Sequence, residues 1–376
     1  MFRSTFLRYV AATAIAVFSF TTLGCGGGDP ATSGGSGSSS GTKRIIFLTN
    51  GDDPFWDACN AGLQEGAKRS DVAADGWTVV MEKNSGGAAG QIEKLRQFGT
   101  QSDIAAVAIS AVDADNPVIV EEMKKLQAKG VKVITVDGDI NRERFPDARP
   151  YYIGTDNIVA GRVLGTAAKE ILKSRGKESG GYVQFSGYND NDNARSRMNG
   201  FKEAVGEAYT EIDRMPDAMN KDKARENVRN ALTNHGDKIV ALVGIWAYNA
   251  PAIAEVVTER SVRDKTTVIT VDAQAIAVEN MSEGKIDAMV VQNPFMMGVE
   301  TVRLLKAMLK EDQATIQEMF PKLGEPNGDL YITGLRVVAP DEGTVLKPEL
   351  FDSSVVEFMT LSKFKEWLKQ YNLTSS

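Results

Sequence analysis

Two cysteines and one histidine are all that the 376 residues carry, and that scarcity removes several chemistries. Paired zinc ligands are missing, as are a nucleophile elbow and a phosphate-binding loop. The single histidine, His235, lies in a polar Asn-His-Gly stretch that reads as a helix exit, a solvated cap rather than a base. Gly86, Gly87 and Gly90 follow the second predicted strand instead of the first and lack dinucleotide spacing. No enzyme and no cofactor is expected from such an inventory. Basic excess is also absent: 43 Lys and Arg stand against 50 Asp and Glu, a net charge of −7. With no basic surface to neutralise phosphates, nucleic acid is disfavoured as a partner. Apolar runs are short. The longest leading one, Val10 to Phe20, is too brief to span a bilayer, and neither a second span nor a tandem repeat follows.

What is present begins with an export leader: Arg3 and Arg8 precede the apolar run, which ends in Thr22-Leu23-Gly24-Cys25. This resembles the lipobox of bacterial lipoproteins, in which Cys25 would carry lipid. Thr22 occupies the place three before the cysteine where leucine is usual, so ordinary cleavage is the alternative. From Gly26 to Gly41 glycine and serine dominate, the composition of a flexible tether reaching roughly 20 Å or more from a membrane surface. The expected localisation is the periplasm or cell envelope, as a membrane-anchored lipoprotein. If Cys25 is lipidated, Cys59 has no partner for an intramolecular disulfide; in an amphipathic segment it reads as a buried, inert thiol.

From Lys43 onward, runs rich in β-branched residues alternate with helical patterns, the mark of parallel sheets built from βαβ units. The first series of strands is predicted at residues 44–49, 77–83, 104–110, 131–137 and 151–154. A second covers 182–186, 211–215, 239–245, 267–272 and 288–292. After Pro294 come a helix to Lys310, a strand-like stretch from Tyr331 to Val338, and a charged amphipathic helix over Lys363 to Tyr371. Two series of about five strands imply two doubly wound α/β lobes, whose ligands bind beyond the carboxyl ends of the strands.

Polar and aromatic residues recur at those ends. Asp53, Phe55 and Trp56 follow the first strand; Asp53 before Pro54 also suits a helix start, while two adjacent aromatics there favour a ligand platform. Asp137 closes Val133-Ile134-Thr135-Val136, Asp272 closes Val268-Ile269-Thr270-Val271, and Gln292 follows Val291. Several such groups on one face suit a polyhydroxylated ligand, whose buried hydroxyls need charged or amide partners. Arg195 and Arg197 open a helix after the polar loop Tyr188 to Asn193, against the helix dipole, so at least one is expected to serve the cleft. Trp246, after the strand ending at Ile245, is either an aromatic wall of the second lobe or a core residue.

Taken together, Asp53-Pro54-Phe55-Trp56, Ile134-Thr135-Val136-Asp137, Gly154-Thr155-Asp156-Asn157, Ala194-Arg195-Ser196-Arg197, Val271-Asp272 and Gln292 resemble type I periplasmic binding proteins. The pattern is close to the ribose-binding branch that serves ABC sugar importers. The resemblance spans about residues 43 to 340 and implies the periplasmic binding protein-like I fold: two doubly wound parallel-sheet lobes joined by a three-segment hinge near Thr155, Gln292 and Gly334. Residues 43–154 with 293–333 would form the first lobe, and 155–292 with 334–376 the second lobe and tail. It implies ligand contacts at Asp53, Phe55, Trp56, Asp137, Arg197, Asp272 and Gln292, to which Trp246 is added as an aromatic wall. Gly138 and Asp139 stand where ribose binders carry an arginine, Trp246 where they carry an asparagine, and Met219 near a lost phenylalanine; these departures argue against ribose itself and leave a hexose, a pentose or a polyol open as the ligand. The expected partners are that small molecule, the membrane permease of an ABC importer, and the membrane through the lipid, with the chain a monomer. The alternative is a sensory subunit that presents its closed form to a signalling receptor.

Overall fold

The central strands are continuous apolar runs because both faces of each sheet are covered by helices. A computed structural model describes residues 42–376; the leader, Cys25 and the glycine/serine segment lie outside the described residues. In the first lobe β1 (Lys43–Leu48), β2 (Trp77–Glu82), β3 (Ile104–Ile109), β4 (Lys132–Val136) and β5 (Tyr152–Gly154) alternate with α1 (Phe55–Arg69), α2 (Gly87–Gly99) and α3 (Pro117–Ala128). The chain then passes into the second lobe: α4 (Asn157–Ser174), β6 (Gly180–Ser186), α5 (Asp192–Val205), β7 (Tyr209–Pro216), α6 (Lys221–His235), β8 (Ile239–Gly244), α7 (Asn249–Glu259), β9 (Thr267–Val271), α8 (Ala275–Ser282) and β10 (Ala288–Val291). It returns with α9 (Pro294–Lys310), α10 (Gln313–Met319) and β11 (Leu330–Ile332), and finishes in the second lobe with β12 (Leu335–Ala339), β13 (Val356–Thr360) and α11 (Leu361–Gln370).

The two sheets run β11-β5-β4-β3-β1-β2 and β13-β12-β10-β9-β8-β6-β7, parallel except for the antiparallel pair β10 and β12. Period-two alternation divides the first lobe's core. Ile45, Phe47, Ala108, Ile134 and Val136 face α1 and α9, while Ile46, Leu48, Val107, Ile109 and Val133 face α2 and α3. The two-lobed α/β class expected from the sequence is therefore the one observed.

Three segments carry the chain between sheets: Thr155-Asp156, Gln292-Asn293 and Thr333-Gly334. Two of them are tied together, because Thr333 donates from both its N–H and its Oγ1 to the Gly154 carbonyl, at 2.8 and 3.1 Å. One expectation needs correction. The stretch from Tyr331 to Val338 is not a single strand; it breaks at Thr333-Gly334, and its halves, β11 and β12, belong to different sheets. An unbroken strand could not have satisfied two separate edges. β13, which the sequence reading left unassigned, adds a further edge strand beside β12.

Residues beyond Pro340 touch both lobes. Tyr371 and Trp367, at the end of α11, lie 4.2 and 6.1 Å from the Phe295 ring at the start of α9. Ser375 Oγ donates to the Pro54 carbonyl at 3.4 Å.

Candidate functional site

The carboxyl ends of β4 and β9 are built alike. Thr135-Val136-Asp137 and Thr270-Val271-Asp272 each end in an aspartate with left-handed backbone, φ 64° and 63°. Each aspartate N–H donates to the neighbouring strand, to Ile153 O and to Val290 O, both at 2.9 Å. The backbone is thus held by the sheet in a conformation that costs an L-residue on the order of 1 kcal/mol. Strain at matching places in two lobes points to function. Both aspartates line one cleft between the lobes, partly open to solvent.

Burial dominates the electrostatics. Asp137, 6% exposed, has its pKa pushed up to about 6 by desolvation, with the charge of Asp272 adding to the rise while Arg197 and the Ser110 hydroxyl oppose it. Burial raises Asp272 as well, against Arg197 and the two bonds from Gln292. Those bonds run from Gln292 N–H to Oδ1 at 3.0 Å and from Nε2 to Oδ2 at 2.9 Å. Asp137 Oδ2 accepts from Ser110 Oγ at 3.0 Å.

Arg197, on α5, is 3% exposed and is oriented by Asn157 Oδ1 at 2.9 Å and Ile245 O at 3.2 Å. No ion pair involving it is found among the described residues, so its charge reaches both carboxylates through space. Gly161 of α4 permits this placement, since a Cβ there would lie 2.1 Å from Arg197 O. Arg195, the other candidate, turns to the surface and pairs with Asp192. Gln292 lines the same cleft, and its Oε1 is buried without a hydrogen-bond partner.

All eight candidate residues line this cleft, though not in equal measure. Asp53 does two things: Oδ1 accepts from Phe55 N–H at the start of α1, at 2.9 Å, and Oδ2 accepts from Gln274 Nε2 of the opposite lobe at 3.1 Å. Phe55 is half-buried, but Trp56 is 2% exposed and packs on Phe47 with centroids 5.5 Å apart, so it backs Phe55 from the core. Trp246 is half-buried and seated on the backbone of Gly187, where a Cβ would lie 2.2 Å from its ring.

The sequence reading missed several lining residues: Asn50, Val112, Asn191, Asn193, and the aromatics Tyr188 and Tyr248. Tyr248, 6% exposed, donates its hydroxyl to the buried Asp217, which also accepts from Asn249 Nδ2 and Met219 N–H, each at 2.9 Å. That carboxylate fixes a turn in which Ala218 and Met219 are both left-handed, φ 55° and 62°. An Asp-Ala-Met sequence gives no sign of such a turn, which elsewhere calls for glycine or asparagine. Cys59 is fully buried, and burial pushes its thiol pKa well up, leaving no nucleophile.

Comparison with known proteins bears on the whole architecture. The family described as periplasmic binding protein domain matches residues 45–313. No curated protein matches the chain. A solute-binding protein of an ABC transporter from Burkholderia graminis, solved with D-arabinose, is similar at 21% identity and TM-score 0.67, covering 82% of this chain and 99% of that one. One from Agrobacterium vitis bound to α-D-tagatopyranose is similar at 20% identity and TM-score 0.65, covering 83% and 97%. The glucose-galactose binding protein GanP from Geobacillus stearothermophilus is similar at 20% identity and TM-score 0.64, covering 79% and 97%.

Proposed function

The chain belongs to the periplasmic binding protein domain family, and from that membership we propose that it captures a monosaccharide or polyol between its lobes and delivers it to the permease of an ABC importer. One observation carries the ligand class: Asp137 and Asp272 enter one cleft from opposite lobes with Arg197 set between their fields. Adjacent diols can donate to the carboxylates and accept from the guanidinium, the charge-assisted pairs that repay hydroxyl desolvation. Phe55 and Trp246 supply faces for ring C–H groups. The solved relatives with arabinose and tagatose support the same class. Asp53, Trp56 and Gln292 complete the set, Trp56 by holding Phe55.

Nothing in this arrangement attacks a bond. His235 is the last residue of α6, not a part of the cleft lining, and the buried Cys59 is protonated, so capture without turnover is the proposed outcome. No helix among the described residues is long and apolar enough to cross a membrane. We attribute membrane attachment to lipid on Cys25 and the segment after it, with the folded part acting as a monomer in the periplasm or cell envelope.

The test is titration calorimetry across aldoses, ketoses and polyols. Saturable binding at micromolar or tighter affinity is expected for at least one, and its loss in Asp272→Ala and Asp137→Ala with the fold retained. Silence across the whole panel would refute the reading.

A further inference from the structure

The aromatic wall of the second lobe does not stop at the buried part of the cleft. It steps outward from Tyr248, 6% exposed, through the half-buried Trp246 to Tyr188, which is 45% exposed, with successive ring centroids 6.3 and 6.2 Å apart. Met219, 52% exposed, lines the same mouth. Exposed apolar side chains are common singly, but these two border a binding cleft and are held there.

The holding is specific. Ala218 N–H donates to the Gly187 carbonyl at 2.9 Å, which ties the Met219 turn to the loop carrying Tyr188. Asp217, fully buried, anchors that turn and the Tyr248 hydroxyl together. A left-handed backbone at two successive non-glycine residues is maintained, and its product is an apolar rim at the cleft mouth. Amides share that rim: Asn191 uses Oδ1 to cap α5, accepting from Ala194 N–H at 3.2 Å, and its NH2 remains a donor beside the cleft. A ligand confined to the aspartates and Arg197 would leave Tyr188 and Met219 in water.

We propose that the natural ligand is a sugar extended by a second ring through a glycosidic bond, a disaccharide or an aryl glycoside, whose outer ring lies on Tyr188 and Met219. This rests on the sugar-capture reading and specifies its ligand. The shared chemistry is a ring with an apolar face; amphipathic pyranose and aryl groups both present one.

The experiment measures affinity by calorimetry for free monosaccharides, their methyl glycosides and their phenyl glycosides in both anomers, together with 1,4- and 1,6-linked disaccharides. For the sugar that binds, at least one phenyl glycoside or disaccharide is expected to bind about tenfold tighter than the methyl glycoside. In Tyr188→Ala, and independently in Met219→Ser, that ratio should fall towards one. Gain with phenyl alone assigns an aryl glycoside, and gain with a disaccharide assigns an oligosaccharide end. Binding of free sugars with rejection of every extended ligand, or a ratio unmoved by both substitutions, would overturn the inference and leave sugar capture standing. No binding by any saccharide would overturn both.

Discussion

Replacing Asp137 by asparagine is expected to make the ligand-free protein more stable while weakening its hold on a ligand. Burial and the facing Asp272 raise the Asp137 pKa from the ordinary 3.8 to about 6. Folding therefore has to ionise this carboxyl against an unfavourable environment at neutral pH. A pKa raised in the folded state means the native protein holds a proton that the unfolded chain has released. Stability then falls as pH rises from about 4 to about 6, and the full penalty applies above about 7. At pH 8 it amounts to about 3 kcal/mol. Asparagine removes the charge, can still accept from Ser110 Oγ, and tolerates the left-handed backbone at this position better than most residues. Asp137→Asn should accordingly gain about 2 to 3 kcal/mol at pH 8, with the difference shrinking towards zero near pH 4. Urea unfolding of both proteins, followed by tryptophan fluorescence at half-unit pH intervals, reads this directly. A variant less stable than wild type at pH 8, or a pH-independent difference, would refute the assignment of the penalty to this buried charge. The same substitution should cost ligand affinity about 1.5 to 3 kcal/mol, the worth of a hydrogen bond to a charged group.

Arg197→Leu should act oppositely: it removes the cation whose field favours both carboxylates, costing roughly 1 to 3 kcal/mol at pH 8 and less at pH 4.5, where Asp137 is largely protonated, as urea melts at the two pH values will show. Gly161→Ala should push α5 away, because the new Cβ meets Arg197 O at 2.1 Å; stability is expected to fall by about 1 to 3 kcal/mol and ligand affinity with it, measured by urea melts and calorimetry. Gln274→Ala removes the bond to Asp53 that bridges the lobes, so the ligand-free radius of gyration in X-ray scattering should rise while the ligand-bound value stays put. Cys59 should resist thiol reagents in the native protein and label only at the rate of unfolding.

The parallel sheets were readable because both faces are buried, which makes strands such as Ile104–Ile109 unbroken apolar runs. Strand-terminal residues were readable as cleft-lining residues for a related reason: a polar side chain directly after such a run has only the cleft or a cap to serve. Asp137, Asp272 and Gln292 obey that logic. Asp53 serves cap and cleft together, so the choice between those two roles was a false one. β-branched residues on both sides hid the break at Thr333-Gly334 from the local pattern, and only the family resemblance placed a crossing near Gly334. Tyr188, Tyr248 and the orientation of Met219 depend on long-range ties through Asp217 and Gly187, which local pattern does not carry. The bond from Gln274 to Asp53 joins residues 221 apart and leaves no local trace.

The three passes between lobes have a consequence for the order in which the molecule is made. The first lobe is begun by residue 43, yet its core includes Met297, Leu304, Leu305 and Phe320, and its sheet edge is closed by β11. α1 therefore waits for α9, and at 5 to 20 residues per second that interval is roughly 10 to 50 s on a ribosome. The second lobe waits in turn for β12 and β13. Neither lobe can complete its sheet until the chain is nearly finished, so neither reaches its native form during most of synthesis. Late closure of both lobes suits a protein that has to cross a membrane before it folds.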